Sequence, residues 1–272
     1  MQGEGKSDVM NNRSNNNADT HGADANNSDT RKTLILTGAS RGIGHATVQY
    51  FSQRNWKVIT CSREDVPEHC KRDPNWADHI VTDLNDTAST QSFIDRANEI
   101  LDGEPIHALV NNAAVSPKTS YKERLGCLNG DVDTWREVFE LNFFTPLMLC
   151  RGFASALGRG EGAVVNITSI AGHGVHPFAG SAYSTSKSAL SALTRELAVE
   201  FAQFGVRVNA VAPGEIETAM IGEEYEALIP RIPMNRMGEP SEVASAVYQL
   251  CTPNFGYVTG TEIFVTGGQH LF

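Results

Sequence analysis

Tyr183-Ser184-Thr185-Ser186-Lys187 sets a phenol and an ammonium four residues apart. On a helix such positions share a face, so the two groups can approach one another. Ser169 lies upstream in Asn166-Ile167-Thr168-Ser169, and far upstream stands a glycine-rich turn, Thr37-Gly38-Ala39-Ser40-Arg41-Gly42-Ile43-Gly44. A Tyr-x-x-x-Lys spacing alone occurs by chance on many helices. With the serine and the glycine turn in this order it spells a hydride-transfer site, because reducing a carbonyl requires a proton for the developing alkoxide. Free tyrosine, with a pKa of about 10, exchanges protons poorly at neutral pH. An ammonium about 4 Å away contributes on the order of 4 kcal/mol at an effective dielectric of about 20. That is roughly three pKa units, which would bring the phenol close to neutrality, where acid–base catalysis works best.

The glycine turn supplies the other half of the chemistry. Gly38, Gly42 and Gly44 fall between a strand-like run and a helical pattern. Glycine lets backbone turn tightly and approach a pyrophosphate, while the helix N-terminus offers N–H donors and partial positive charge. An ordinary glycine-rich turn would account for the glycines but not for their company. At the end of the second strand, where an acidic residue would bind ribose hydroxyls, the chain has Ser62 followed by Arg63, and Arg41 sits inside the turn. Two arginines and no carboxylate at that place suit a 2′-phosphate, so the expected cofactor is NADP(H).

At these residues the chain resembles the short-chain dehydrogenase/reductase family, and within it the 3-oxoacyl-carrier-protein-reductase-like members, from about residue 33 to the C-terminus. The family's T-G-x-x-x-G-x-G appears as Thr37 to Gly44, its N-N-A-G as Asn111-Asn112-Ala113-Ala114, and its P-G-x-I-x-T as Pro213-Gly214-Glu215-Ile216-Glu217-Thr218. Its asparagine matches Asn142, and its serine, tyrosine and lysine match Ser169, Tyr183 and Lys187. The resemblance implies that Tyr183 is the acid/base and that Lys187 lowers its pKa while binding the nicotinamide ribose. Ser169 would hydrogen-bond the substrate oxygen, and Asn142 would hold a water linking Lys187 to solvent. A lone asparagine in a helix has a blander reading, a local bend or hydrogen bond. Around the cofactor, the resemblance implies Gly38, Ser40, Arg41, Gly42, Ile43 and Gly44 at the pyrophosphate end, with Arg63 beside them. Asp83 and Leu84 would lie against the adenine, Asn112 and Ala113 beside the ribose, and Pro213, Gly214, Ile216 and Thr218 around the nicotinamide amide. No metal is required.

Composition sets bounds on the rest. The chain has 272 residues and a net charge of −10, which disfavours nucleic acid as a partner. Cys61, Cys70, Cys127, Cys150 and Cys251 are scattered and odd in number, as expected of reduced thiols in a cytoplasmic protein rather than of disulfides or a metal site. No apolar stretch approaches the 18 or so residues that a membrane span needs. Residues 1–30 hold seven asparagines between Asn11 and Asn27 and almost no large apolar side chains. Such a segment cannot bury enough surface to offset its ordering entropy, so a disordered tail is expected there, or an over-extended gene start. It lacks the apolar h-region of a signal peptide. Residues 31–272 are expected to form a single Rossmann-type catalytic domain.

Along that domain, strand-like runs alternate with helical patterns. Thr33–Thr37, Lys57–Cys61, His79–Thr82, Ile106–Val110, Ala163–Ile167, Val206–Val211 and Glu262–Val265 read as seven strands. Ile43, Ala46, Tyr50 and Phe51 form one helical face, and Leu190, Leu193, Leu197, Phe201 and Phe204 a stripe on the helix that carries Tyr183. The alternation predicts a doubly wound parallel α/β sheet with helices on both faces. Ligands bind such sheets beyond the strands' carboxyl ends, and every motif falls there. The Ser169–Tyr183 loop carries His173 and His176, which either contact substrate or are simply exposed. Lys118–Gly130 and Met220–Arg236 are the expected pocket walls and lid.

An NADP(H)-dependent 3-oxoacyl or ketone reductase is the leading expectation. A sugar or polyol dehydrogenase on the same site is the alternative. A redox sensor that binds dinucleotide without turnover would predict a damaged Ser/Tyr/Lys set, and here the set is whole. By resemblance the long helices near Val132–Leu157 and Ser181–Phe204 would pair across two-fold axes in a homotetramer.

Overall fold

The computed structural model describes residues 31–65, 70, 73–119, 123–218 and 223–272. The expected tail at residues 1–30, residues 120–122 of the expected pocket wall and residues 220–222 at the start of the expected lid lie outside the described residues.

Seven strands form one all-parallel sheet in the order β3-β2-β1-β4-β5-β6-β7. They are β1 (Thr33–Thr37), β2 (Lys57–Ser62), β3 (Trp76–Val81), β4 (Ala108–Asn111), β5 (Ala163–Ile167), β6 (Arg207–Pro213) and β7 (Glu262–Val265). The helices are α1 (Gly42–Ser52), α2 (Thr87–Leu101), α3 (Val132–Phe139), α4 (Thr145–Arg159), α5 (Ser181–Ala202) and α6 (Pro240–Leu250). This is the expected doubly wound fold.

The central strands are apolar on both faces because helices cover both. Alternate residues divide the core in two. Leu34, Leu36, Val58 and Val110 pack with Val48 and Phe51 of α1 and with Val243 and Val247 of α6. Ile35, Ile59, Leu109 and Val164 pack with Phe93 of α2, Phe153 of α4 and Leu197 of α5. Strand order reverses at β1, with β2 on one side and β4 on the other, which opens a crevice above their carboxyl ends.

Local details differ from the sequence expectation. β3 begins at Trp76, because Trp76 pairs with Val58 across a register shift and its indole donates to Thr60 Oγ1 at 2.7 Å. β4 begins at Ala108, since the Ile106 N–H turns away to Ala156 and His107 reaches Thr33. Of the expected α1 face, Phe51 is buried and Ile43 packs partly buried against the core, but the other buried positions are Gly44, Thr47, Val48 and Ser52, so the buried face is rotated away from Ala46 and Tyr50. Tyr50 instead bonds Ser245 on α6 at 3.1 Å and lies under the Arg54 guanidinium. On α5, Phe204 falls beyond the helix end and is 48% exposed.

Between α3 and α4, residues Glu140–Phe144 widen into a single π turn centred on Asn142. π turns inside helices concentrate at functional sites. No helix among the described residues is long and apolar enough to cross a membrane.

Candidate active site

The chain leaves β1 at Thr37 and turns through Gly38 with φ +73° and Gly42 with φ +58°, a region that favours glycine. Gly44 is excluded from any larger side chain: a Cβ there would lie 2.1 Å from the Gly38 carbonyl oxygen and 2.5 Å from Asn112 Nδ2. Asn112 fastens this turn to the end of β4, its amide donating to the Thr37 and Gly38 carbonyls at 2.9 and 3.0 Å. Thr37 Oγ1 returns the link by accepting the Asn112 and Ala113 N–H groups, both at 3.1 Å. Asn112 therefore holds the turn's shape as well as lining the cleft. Ala114, which replaces the family's glycine, is not among the positive-φ residues, so its methyl meets no backbone penalty.

Helix α1 starts without a side-chain cap and with no acid in its first turn. Helices α2, α3 and α6, by contrast, close their first turns with Asp86, Asp131 and Glu239. The α1 N–H donors thus stay available, as an anion site requires. A narrow backbone cradle beside uncapped donors fits the pyrophosphate of a dinucleotide.

A single pocket of about 430 Å³ runs from this turn to Tyr183. It brings together Gly38, Ser40, Arg41, Gly42, Ile43 and Gly44 from the turn, then Arg63, Asp83 and Leu84 after β2 and β3. Asn112 and Ala113 line it after β4, Ser169 after β5, and Pro213, Gly214, Ile216 and Thr218 after β6. Tyr183 and Lys187 complete it from α5. Of the sequence-predicted site residues, Asn142 alone is not on the wall. It is fully buried, and its side chain clamps Val115: Oδ1 accepts the Val115 N–H at 2.9 Å and Nδ2 donates to the Val115 carbonyl at 3.0 Å and to Ser186 Oγ at 3.0 Å.

Ser169 caps a short 3₁₀ turn through the Ala171 N–H at 3.1 Å. Lys187 is buried and donates to the Ile167 carbonyl at 2.6 Å, which ties α5 to the end of β5. Its Nζ stands 5.7 Å from the centre of the Tyr183 ring. The titration directions differ from the simple expectation. Burial depresses the Lys187 ammonium to about 7, and burial raises the Tyr183 phenol, opposed by its hydrogen bond with Ser169 and reinforced by the Glu215 charge. For the phenol, the cost of burying its charged form dominates.

The histidines of the Ser169–Tyr183 loop separate. His173 turns away, its Nε2 2.9 Å from Glu262 Oε2 and its ring on Phe264. His176 is buried in the pocket wall and bonds Glu215 at 2.7 Å. Lys118 and Tyr225, from the two expected wall segments, also line the pocket, and Lys118 pairs with Glu224 at 2.7 Å. Glu215 and Tyr225 stand out as site residues the sequence reading did not single out.

Comparisons with known proteins agree with this architecture. The family model described as Enoyl-(Acyl carrier protein) reductase matches residues 38–270. A Bradyrhizobium diazoefficiens relative, Protein FixR, is 49% identical over 88% of this chain and 87% of its own. A galactitol 2-dehydrogenase (L-tagatose-forming) from Cereibacter sphaeroides is 36% identical over 87% of this chain and 94% of its own. A crystal structure of a Brucella ovis oxidoreductase of the short-chain dehydrogenase/reductase family, in complex with a partially ordered NAD, is 48% identical. It covers 87% of this chain and all of its own, with a TM-score of 0.74.

Proposed function

The chain belongs to the short-chain dehydrogenase/reductase family, and from that premise we propose that it is an NADP(H)-dependent oxidoreductase acting on a ketone and its secondary alcohol. The observation that carries the reading is the convergence of Ser169, Tyr183 and Lys187 with the glycine cradle on one pocket. The nicotinamide, when bound, supplies or accepts the hydride. The chain's own groups handle the rest. Ser169 Oγ–H donates to the substrate oxygen and fixes its place. In the reductive direction the Tyr183 O–H gives its proton to that oxygen as negative charge develops on it. In the oxidative direction the phenolate takes the proton back. Lys187, anchored by the Ile167 carbonyl, favours the phenolate when charged and reaches the ribose side. Asn142 positions Val115 in the pocket wall and, through Ser186, steadies the first turns of α5.

The 2′-phosphate reading rests on Arg41 and Arg63. Both are exposed at the pocket rim, and neither side chain pairs with another described residue. Ser62 is turned inward, donating to the Glu64 carbonyl at 2.5 Å and meeting His79 Nε2 at 3.1 Å. A second reading, NAD, is favoured by Glu64 on the same rim and by the NAD held in the Brucella ovis relative. Titrating both reduced cofactors by fluorescence decides between them. NADPH should bind at least about tenfold tighter, the effect of roughly one charge-assisted contact. Equal or tighter NADH binding would overturn the assignment.

Two substrate classes suit the mechanism, 3-oxoacyl compounds or simple ketones on one side and sugars or polyols on the other. One observation favours the second: a buried carboxylate, Glu215, in the pocket wall. A homotetramer is also proposed. Val132, Phe144, Val199 and Phe204, on or next to the long helices, are exposed apolar residues that such pairing would cover.

A further inference from the structure

Glu215 follows β6 and is only 5% exposed. A buried carboxylate is costly unless its oxygens are satisfied. Its Oε1 accepts two hydrogen bonds, from His176 Nε2 at 2.7 Å and from Gln269 Nε2 at 3.0 Å. Oε2 has no hydrogen bond among the described residues. The state of His176 follows from its other nitrogen. Nδ1 accepts the backbone N–H groups of Phe178 at 3.2 Å and Ala179 at 3.0 Å, so the one ring proton is on Nε2 and points at Glu215. The histidine thus donates to the carboxylate and holds it in place. Gln269 is oriented to help at its own expense, for its Oε1 is buried without a partner among the described residues. Buried orphans of this kind persist where something else requires the arrangement.

Tyr225 roofs the cluster. The His176 ring stacks on it at 6.0 Å and 28°, and Phe178 packs beside it at 4.9 Å. Its phenol, pushed up to about 12 mainly by burial and then by Glu215, stays an O–H donor. His176, Glu215, Tyr225, Ser169 and Tyr183 all line the same pocket. In the pocket that holds Ser169 and Tyr183, then, the wall presents a carboxylate lone pair and a phenol O–H, near enough to Tyr183 that the Glu215 charge acts on both phenols. An acyl chain would leave Oε2 with neither solvent nor a partner. A hydroxyl next to the reacting carbinol both donates and accepts.

We infer that Glu215, held by His176 and Gln269, is a specificity-determining residue that binds a second hydroxyl of the substrate, so that the substrate is a sugar or polyol rather than a 3-oxoacyl thioester. The inference rests on the hydride-transfer reading of the site. Matched alcohols test it: cyclohexanol against cis-1,2-cyclohexanediol, and 2-butanol against meso-2,3-butanediol, each oxidised with NADP⁺ and with NAD⁺. Binding of each alcohol to the cofactor-loaded protein is measured alongside by calorimetry. Wild-type kcat/KM should favour the diol by about 10–100-fold, the range for a hydrogen bond to a charged group, and the calorimetric affinities should differ in the same sense. Glu215→Gln should bring that preference to within about threefold of unity. Gln269→Ala, which leaves the carboxylate in place but loosens it, should lower the preference part-way and serves if Glu215→Gln does not fold. Equal use of both alcohols by the wild type, or an unchanged preference in a folded Glu215→Gln, would overturn the anchor while leaving the hydride reading standing. A wild type that binds dinucleotide but oxidises none of the four alcohols and reduces none of the corresponding ketones would overturn the hydride reading and the anchor with it.

Discussion

Replacing Lys187 by methionine should stabilise this protein at neutral pH while disabling it. The lysine is 2% exposed, and burial brings its pKa from the ordinary 10.5 to about 7. The difference corresponds to about 5 kcal/mol by which burying the charged form opposes folding. Methionine fills a similar volume and carries no charge. It leaves the Ile167 carbonyl without its 2.6 Å donor, which costs about 1–3 kcal/mol. The net gain near pH 6 is then about 2–4 kcal/mol, or on the order of 10 °C in Tm for a domain of this size. The sign follows from proton binding. Between pH 7 and 10.5 the unfolded chain binds a proton at this lysine that the folded chain does not, so wild-type stability rises through that window. The mutant's advantage is therefore full below about pH 7, shrinks above it, and vanishes near pH 9, where the remaining penalty equals the lost hydrogen bond. Urea unfolding of both proteins from pH 6 to 9 reads the difference directly, because the other titrating groups are common to both. A mutant less stable than wild type at pH 6, with a difference that does not change with pH, would refute the claim that Lys187 is held against its own solvation.

Gly44→Ala places a methyl 2.1 Å from a backbone oxygen, a contact that must move the turn, so dinucleotide affinity should fall by at least about 100-fold, as followed by nicotinamide fluorescence, with destabilisation of about 1–3 kcal/mol or more. Asn112→Ala removes the two side-chain ties between the end of β4 and the glycine turn, leaving the two backbone ones to Thr37 Oγ1, and should weaken cofactor binding about tenfold or more, with a smaller loss in kcat, in steady-state kinetics. Light scattering at micromolar concentration should give the mass of four chains, and a monomer mass would end the assembly proposal.

The parts of this site carried by local chemistry were legible in the sequence. Gly38, Gly42 and Gly44 announce a turn because glycine accepts the positive φ of the first two and the close backbone approach at the third, and Tyr183 and Lys187 fall on one helical face by spacing alone. The parts set by long-range packing were not. Trp76-Ala77-Asp78 reads as loop because β3 is an edge strand with half-covered residues, and only its pairing with Val58 makes it a strand. The face of α1 is rotated from the expected one because Tyr50 looks like core, whereas Thr47, buried through its bond to the Ile43 carbonyl, does not. Lys187 could be expected to charge Tyr183, but its burial, which reverses that balance in the structure, depends on how α5 meets β5. Glu215 looked like a variable position inside Pro213-Gly214-Glu215-Ile216. Its partners, His176 and Gln269, are 39 and 54 residues away along the chain. A glutamate directly after an apolar strand, with a histidine in the tyrosine's own loop, was the signal available.

Tyr183→Phe tests the central claim most directly. It keeps the ring and its packing and deletes only the hydroxyl that is proposed to move the proton. Measured on the best secondary alcohol or ketone from the panel, kcat should fall by about 10²–10⁴-fold, while cofactor affinity by fluorescence stays within a fewfold of wild type. A variant with near-normal kcat would contradict the mechanism, in which the Tyr183 hydroxyl supplies that proton.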